Sequence, residues 1–236
     1  MKSTPIWQAI AGTLRQDIVN GHYGQGAKLP TEATLSNRFG VNRHTVRHAL
    51  KTLAEEGLVQ PRRGAGVFVI MAPTDYPIGR RVRYHQNLRA AGRVPAKNVL
   101  LLETRPGNAR ECAGLALPLG ESVHVYEGLS LADGQPIAIF RSVFPALRFA
   151  GLIADLRAYG SVSTALRLGG VADYTRASTR LNAKLATATQ AVHLKCSEGA
   201  PILRSIGINV DADGKPVEYG RTWFSGDRVT LTLADD

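Results

Sequence analysis

A six-residue motif followed by an arginine and a phenylalanine occurs twice in this chain, and it limits the fold more than any other feature. Ala132-Asp133-Gly134-Gln135-Pro136-Ile137, followed by Arg141 and Phe144, returns 80 residues later as Ala212-Asp213-Gly214-Lys215-Pro216-Val217, followed by Arg221 and Phe224. Asp-Gly between alternating apolar runs is a hairpin signal, because both residues tolerate positive φ. The paired runs are 123–131 with 137–144, and 202–210 with 217–224. Each hairpin is preceded by a strand and then an Ala-rich amphipathic helix, over 108–117 and 186–194. The period is too long for a solenoid, so two similar α/β halves are expected to share one antiparallel sheet, with a pseudo-twofold axis and a common cleft.

The remaining third of the chain has a different pattern. Of the +10 formal net charge, half falls within residues 1–70, where nine Lys or Arg face four acids. That density suits a polyanionic partner. Within it, Thr31 to Gly57 reads as two short helices joined by a tight turn. Thr31 caps the first helix, with Leu35 and Phe39 inward, and Gly40-Val41 makes the corner. Asn42 caps the second and Gly57 stops it. Along that second helix Val46, Ala49, Leu50 and Leu53 share one face, while Arg43, His44, Arg47, His48 and Lys51 share the other. One face packs and the other is cationic, which is the pattern of a helix-turn-helix. His44, Thr45 and His48 are open to either DNA contact or plain exposure, and Arg38 to a phosphate contact or a surface charge.

Upstream, Trp7, Ile10, Ala11, Leu14 and Ile18 form the stripe of an amphipathic helix ending near Gly21. Downstream, short apolar runs at 58–60 and 67–70 flank Pro61-Arg62-Arg63-Gly64-Ala65-Gly66, a β-hairpin wing with a basic glycine tip. The reading divides the chain into residues 1–70, a winged helix-turn-helix; 71–77, a Pro-bracketed linker; and 78–236, an α/β domain.

Residues 6–70, and LPTEATLSNRFGVNRHTVRHALKTLAEEGLVQPRRGAGVFV most of all, resemble the winged helix-turn-helix of the GntR family of bacterial regulators. The resemblance implies DNA contacts from Asn42, Arg43 and Arg47 in the second helix and from Arg63 and Gly64 at the wing; Thr31, His44, Thr45 and Arg62 complete the candidate DNA-binding set. Ala33 stands where that family usually has an arginine, so operator or affinity should differ. The remainder is similar to the effector (UTRA) domain of the HutC subfamily, with its chorismate-lyase-like fold, giving an α+β chain overall. Leu88-Arg89-Ala90-Ala91-Gly92, the two ADG-x-P turns and Gly226-Asp227-Arg228 carry that similarity. Residues 144–152, 172–184 and 209–229 are most similar to regulators of phosphonate utilisation.

The resemblance further implies an effector site at Tyr84, His85, Ser130, Ser161, Glu218 and Phe224. Gly128 and Ser130 replace two arginines that sugar-phosphate regulators use, which points to a different ligand; Arg80, Arg81 and Arg83 either restore positive charge or form a plain surface or DNA-side patch. No Walker loop, HExxH, GxSxG or zinc-spaced Cys/His cluster is present, so no catalytic residue, metal or cofactor is expected. Two cysteines without a CxxC, no signal peptide and no apolar run near the roughly 20 residues of a membrane span lead to an expectation of a cytoplasmic protein with reduced thiols. The expected function is a homodimeric repressor on an inverted-repeat operator, controlled by a small anionic effector. Alternatives are a nonspecific nucleoid-type DNA-binding protein, or a HutC-type regulator of sugar-phosphate or amino-acid catabolism.

Overall fold

The computed structural model describes residues 5–70, 73–79, 88–89 and 92–233. The chain divides into two compact units, Met1–Ala72 and Pro73–Asp236.

The first unit holds α1 (Ile6–Val19), α2 (Glu32–Phe39), α3 (Arg43–Glu55) and an antiparallel hairpin of β1 (Val59–Arg62) and β2 (Gly66–Val69). Its helix limits follow local chemistry. The Thr31 hydroxyl accepts from the Thr34 N–H at 3.2 Å, and Asn42 Oδ1 accepts from the Thr45 N–H at 2.9 Å, each satisfying a donor that the helix itself leaves free. Ile10, Ala11 and Leu14 of α1 meet Leu35, Val46, Ala49, Leu50 and Leu53 in one core that Val59 and Val69 close from the hairpin. Each fully buried leucine there contributes roughly 1.5–3 kcal/mol. Two ion pairs tie α1 to its neighbours, Arg15 to Glu56 at 2.6 Å and Arg38 to Asp17 at 2.9 Å.

The second unit runs β3 (Thr74–Pro77), β4 (Pro95–Pro106), α4 (Ala109–Leu115), β5 (Ser122–Ala132), β6 (Gln135–Pro145), α5 (Leu152–Tyr159), α6 (Val162–Leu168), β7 (Thr175–Leu185), α7 (Ala188–Leu194), β8 (Pro201–Val210), β9 (Pro216–Ser225) and β10 (Val229–Thr232). Six strands form an antiparallel sheet in the order β4-β5-β6-β9-β8-β7. The repeat is visible in that order, since β4-α4-β5-β6 and β7-α7-β8-β9 meet at β6 and β9. Where they meet, Arg141 pairs across strands with Arg221, its own counterpart in the repeat. The local twofold therefore passes through this pair. Both α4 and α7 open with a capping box, Asn108 with Glu111 and Thr187 with Gln190, and both end in a left-handed non-glycine residue, Ala116 or Lys195.

The two Asp-Gly turns differ. Asp133 and Gly134, both at positive φ, close the first hairpin alone, whereas the second needs the longer loop from Asp211 to Lys215. There the Asp211 carboxylate organises the loop by accepting from the N–H groups of Asp213 and Lys215. Part of the stretch expected to be linker is also ordered differently. Thr74–Pro77 is strand β3, paired in parallel with β10, and the unit boundary falls at 72/73. Proline is tolerated at the end of such a short strand, and Tyr76 is buried there against Phe224.

Alternation along the strands gives the sheet two different faces. On one, Leu115 of α4 packs on Val123, Val125, Val143 and Tyr219, and Leu194 of α7 packs with Ile139 and Ile202. On the other, α5 and α6 lay Leu152, Leu156, Ala165 and Leu166 over Tyr126, Phe140 and Phe144. That helix pair lies between the two repeats and has no counterpart within them. It covers one part of its face and leaves a cavity beside it.

Candidate functional site

On α3 the buried residues are Val46, Ala49, Leu50 and Leu53, and Asn42, Arg43, His44 and Arg47 are exposed. Arg43 makes no hydrogen bond or ion pair among the described residues. Arg47, 61 % exposed at its side chain, is held by Glu32 of α2 through Nε at 2.9 Å and a terminal nitrogen at 2.6 Å. The hydrogen bonds from Arg47 keep the Glu32 carboxyl below its ordinary range. The pair uses one edge of the guanidinium and leaves the remaining N–H groups directed elsewhere. Thr31 and Asn42 serve as helix caps, and the Thr45 hydroxyl lies 3.0 Å from Asn42 Oδ1. His48 stacks on Trp7 with ring centroids 4.2 Å apart, so it anchors α1 to α3. Arg38 is occupied by Asp17 and Tyr23. In the wing, the Arg62 guanidinium lies over the Phe68 ring, while Arg63 and Gly64 are exposed, with Gly64 at φ +72°.

The second unit contains a cavity of about 370 Å³ against the sheet face that α5 and α6 partly cover. A continuous hydrogen-bonded row crosses its floor. Glu218 of β9 accepts from the Ser142 hydroxyl at 2.5 Å and from Asn209 Nδ2 at 2.6 Å, and Asn209 Oδ1 accepts from Arg176 Nε at 2.7 Å. Gly207 makes this row possible, because a Cβ there would stand 1.7 Å from an Arg176 guanidinium nitrogen. Lys97 of β4 brings its ammonium to 5.0 Å from the Phe140 ring centroid and 5.5 Å from that of Tyr126. Burial pushes this lysine down to about 8, against the opposing pull of the Glu218 charge. Arg167 also lines the cavity. Three cationic side chains thus face one carboxylate, among the hydroxyls of Ser130, Ser161, Ser163 and Thr164.

Of the effector residues expected from sequence, Ser130, Ser161, Glu218 and Phe224 all line this cavity. Ser161 also caps α6, accepting from the Thr164 N–H at 3.2 Å. Tyr84 and His85, like Arg80, Arg81 and Arg83, lie outside the described residues. Sequence reasoning missed Lys97, Arg167, Arg176, Ser142 and Asn209. Ser142 carried a readable signal, a polar residue in phase with Ala138 and Phe140 on an apolar strand. Arg176 and Lys97 carried none, since they sit on the two edge strands of the sheet and only the fold brings them to one cavity.

Comparison with known proteins accords with both parts. Residues 7–69 match the model for bacterial regulatory proteins of the gntR family, and residues 90–230 match the UTRA domain. An HTH-type transcriptional regulator of Rhizobium meliloti (strain 1021) is 38% identical over 229 residues, spanning 97% of this chain and 94% of that protein. The "Probable transcriptional regulator PhnF" of Escherichia coli (strain K12) is 32% identical over 228 residues, spanning 96% and 94%. In fold, the crystal structure of PhnF from Mycobacterium smegmatis superposes with a TM-score of 0.66 at 24% identity, covering 96% of this chain and 99% of that one. The chain belongs to the gntR family of bacterial regulatory proteins, with a UTRA domain, and is a transcriptional regulator of the HutC type rather than an enzyme.

Proposed function

We propose that the protein is a homodimeric repressor that holds an inverted-repeat operator and answers to a small anion, a phosphonate or phosphate ester. The observation that carries the reading is the cavity wall, where Lys97, Arg167 and Arg176 outnumber the single carboxylate Glu218. Such a lining favours a ligand with more than one negative charge, and serine and threonine hydroxyls supply donors to its oxygens. The similarity of residues 144–152, 172–184 and 209–229 to regulators of phosphonate utilisation supports the same class.

On the DNA side, each α3 enters a major groove. Arg43 and Arg47 read guanine edges, worth about 1–3 kcal/mol per bidentate contact, and the wing's Arg62, Arg63 and Gly64 meet the backbone or the minor groove. Glu32 orients Arg47 for this role. Coupling starts in the cavity, whose wall includes Tyr76 and Ile78, which follow the DNA-binding unit directly in the chain. A ligand that bears on β3 acts on the stretch of chain that follows the wing strand β2. Because a dimer needs one half-site spacing, a small displacement of either head removes its contacts.

Two measurements test this. The protein should retain a palindrome near its own gene against a large excess of random duplex, and loss of that preference would favour a nonspecific DNA-binding protein. Thermal unfolding against phosphate, methylphosphonate, aminoethylphosphonate, sugar phosphates and imidazole-type catabolites should show stabilisation by a phosphonate or phosphate ester. A flat response from folded protein would remove the anion reading and leave DNA recognition standing.

A further inference from the structure

The two halves of the sheet are built alike, so positions where counterparts behave differently are informative. Arg228, just after β9, is 4% exposed. Its guanidinium donates to the carbonyl oxygens of Pro136 at 2.5 Å, Leu194 at 2.6 Å and Lys195 at 3.0 Å. Two of these acceptors end α7, where helix carbonyls have no partner of their own, and a cation satisfies them.

The 80-residue offset that relates Asp133 to Asp213 makes Arg148 the counterpart of Arg228 and Pro216 the counterpart of Pro136. Leu115 and Ala116 correspond to Leu194 and Lys195 by their place at the end of a capped helix. The surrounding backbone keeps the equivalence, for Ala146 N–H donates to the Ser122 oxygen as Gly226 N–H does to the Pro201 oxygen, both at 3.1 Å. Yet the Arg148 guanidinium turns to the Asp211 carboxylate and reaches only the Pro216 oxygen of the equivalent set, at 3.5 Å. Leu115, Ala116, Pro216 and Arg148 line a cavity of about 410 Å³ in its place.

We propose that this cavity is a second binding site, for a small organic cation carrying a guanidinium or primary ammonium on a short apolar stem, whose head takes the position that the Arg228 guanidinium holds in the other half. The acceptors are the chain oxygens of Leu115, Ala116 and Pro216. The stem lies along Leu117, Pro145 and Ala146. The other charged residues of the lining, Glu121 and Lys215, are opposite in sign, and Asp211 neutralises Arg148, so the carbonyl set decides which charge is accepted. The volume lies within the roughly 300–1,000 Å³ of small-molecule pockets. Asp211 is central to the site, because it holds the internal guanidinium away from the acceptors.

The test is titration of the full chain with agmatine and n-butylammonium, followed by calorimetry and by amide shifts at 115–117 and 146–147. Tetramethylammonium, which donates no hydrogen bond, is the control. Saturable binding of the first two and not the third is expected. Asp211→Asn frees Arg148 to occupy the carbonyls and should weaken binding by about tenfold or more, whereas Arg148→Ala removes that competitor and should retain or tighten it. The proposal is overturned if neither the native chain nor Arg148→Ala binds either cation, if tetramethylammonium binds as well, or if Asp211→Asn leaves the affinity unchanged. A capped Gly-Arg-Gly peptide that bound more tightly than agmatine would assign the site to a protein side chain and overturn its reading as a metabolite pocket.

Discussion

Arg43 and Arg47 sit one turn apart on α3 and are not equivalent. Arg43 makes no hydrogen bond or ion pair among the described residues, and Arg47 is already held by Glu32. Replacing Arg43 by alanine should abolish preference between operator and mutated operator, at a cost of about 1–3 kcal/mol on the native sequence, as read by competitive binding. Lys51, 73% exposed at its side chain and 3.7 Å from Glu55, should behave differently: Lys51→Ala should leave base preference intact and only flatten the salt dependence. In the cavity proposed for the effector, Lys97 must be protonated to hold an anion, and burial pushes it down to about 8. Anion affinity should therefore decline as the pH rises through that value, as the Lys97 ammonium gives up its proton. Lys97→Met should weaken binding and remove the decline; calorimetry at several pH values checks both. The cap residues Thr31 and Asn42 and the face of α3 were legible in sequence, because capping and helical phase are set within a few residues of chain.

Elements explain what single residues cannot. β8 carries Gly207 where Arg176 of β7 must cross it, so Gly207→Ala should leave the fold intact and displace the guanidinium from Asn209. The expected result is a loss of anion affinity close to that of Arg176→Ala, measured by titration, with little change in unfolding. On the other face, Glu111 of α4 is fully buried, bound by Arg105 of β4 at 2.8 Å and by the Asn108 N–H at 3.0 Å. Burial acts to raise its pKa, but the Arg105 and Asn108 hydrogen bonds and the guanidinium charges of Arg105 and Arg221 outweigh it, so the carboxyl is held below its ordinary 4.5. A depressed folded value means that this stabilisation is complete above pH 4.5 and is lost as pH falls through the lowered value. Glu111→Gln should cost on the order of 2 kcal/mol at neutral pH, since Arg105 keeps some solvent contact, and acid unfolding should become less steep. The helix bearing Glu111 was evident from sequence. The contacts were not, because Arg105 and Glu111 meet only when α4 folds back on the sheet.

For the whole molecule, the proposed recognition of an inverted repeat by two heads predicts a geometric requirement. Inserting about half a helical turn between half-sites should abolish tight binding and a full turn should restore part of it, as read by gel shift. A monomer that binds one half-site would be indifferent to both insertions. By itself the sequence determined the winged helix-turn-helix, the two-fold repeat and the expectation of one antiparallel sheet, because each depends on short-range periodicity, caps and turns. It also brought Ser130, Ser161, Glu218 and Phe224 together as a candidate set, through their family positions. Only the tertiary structure decided that Thr74–Pro77 is a strand and that Lys97 and Arg176, from opposite edges of the sheet, share a cavity with Glu218. It alone showed that Arg148 and Arg228, alike in the repeat, take different partners. Those outcomes depend on strand order, register and the helices inserted on one face. These are long-range choices, fixed by how the halves pack on each other and absent from the local pattern of either one.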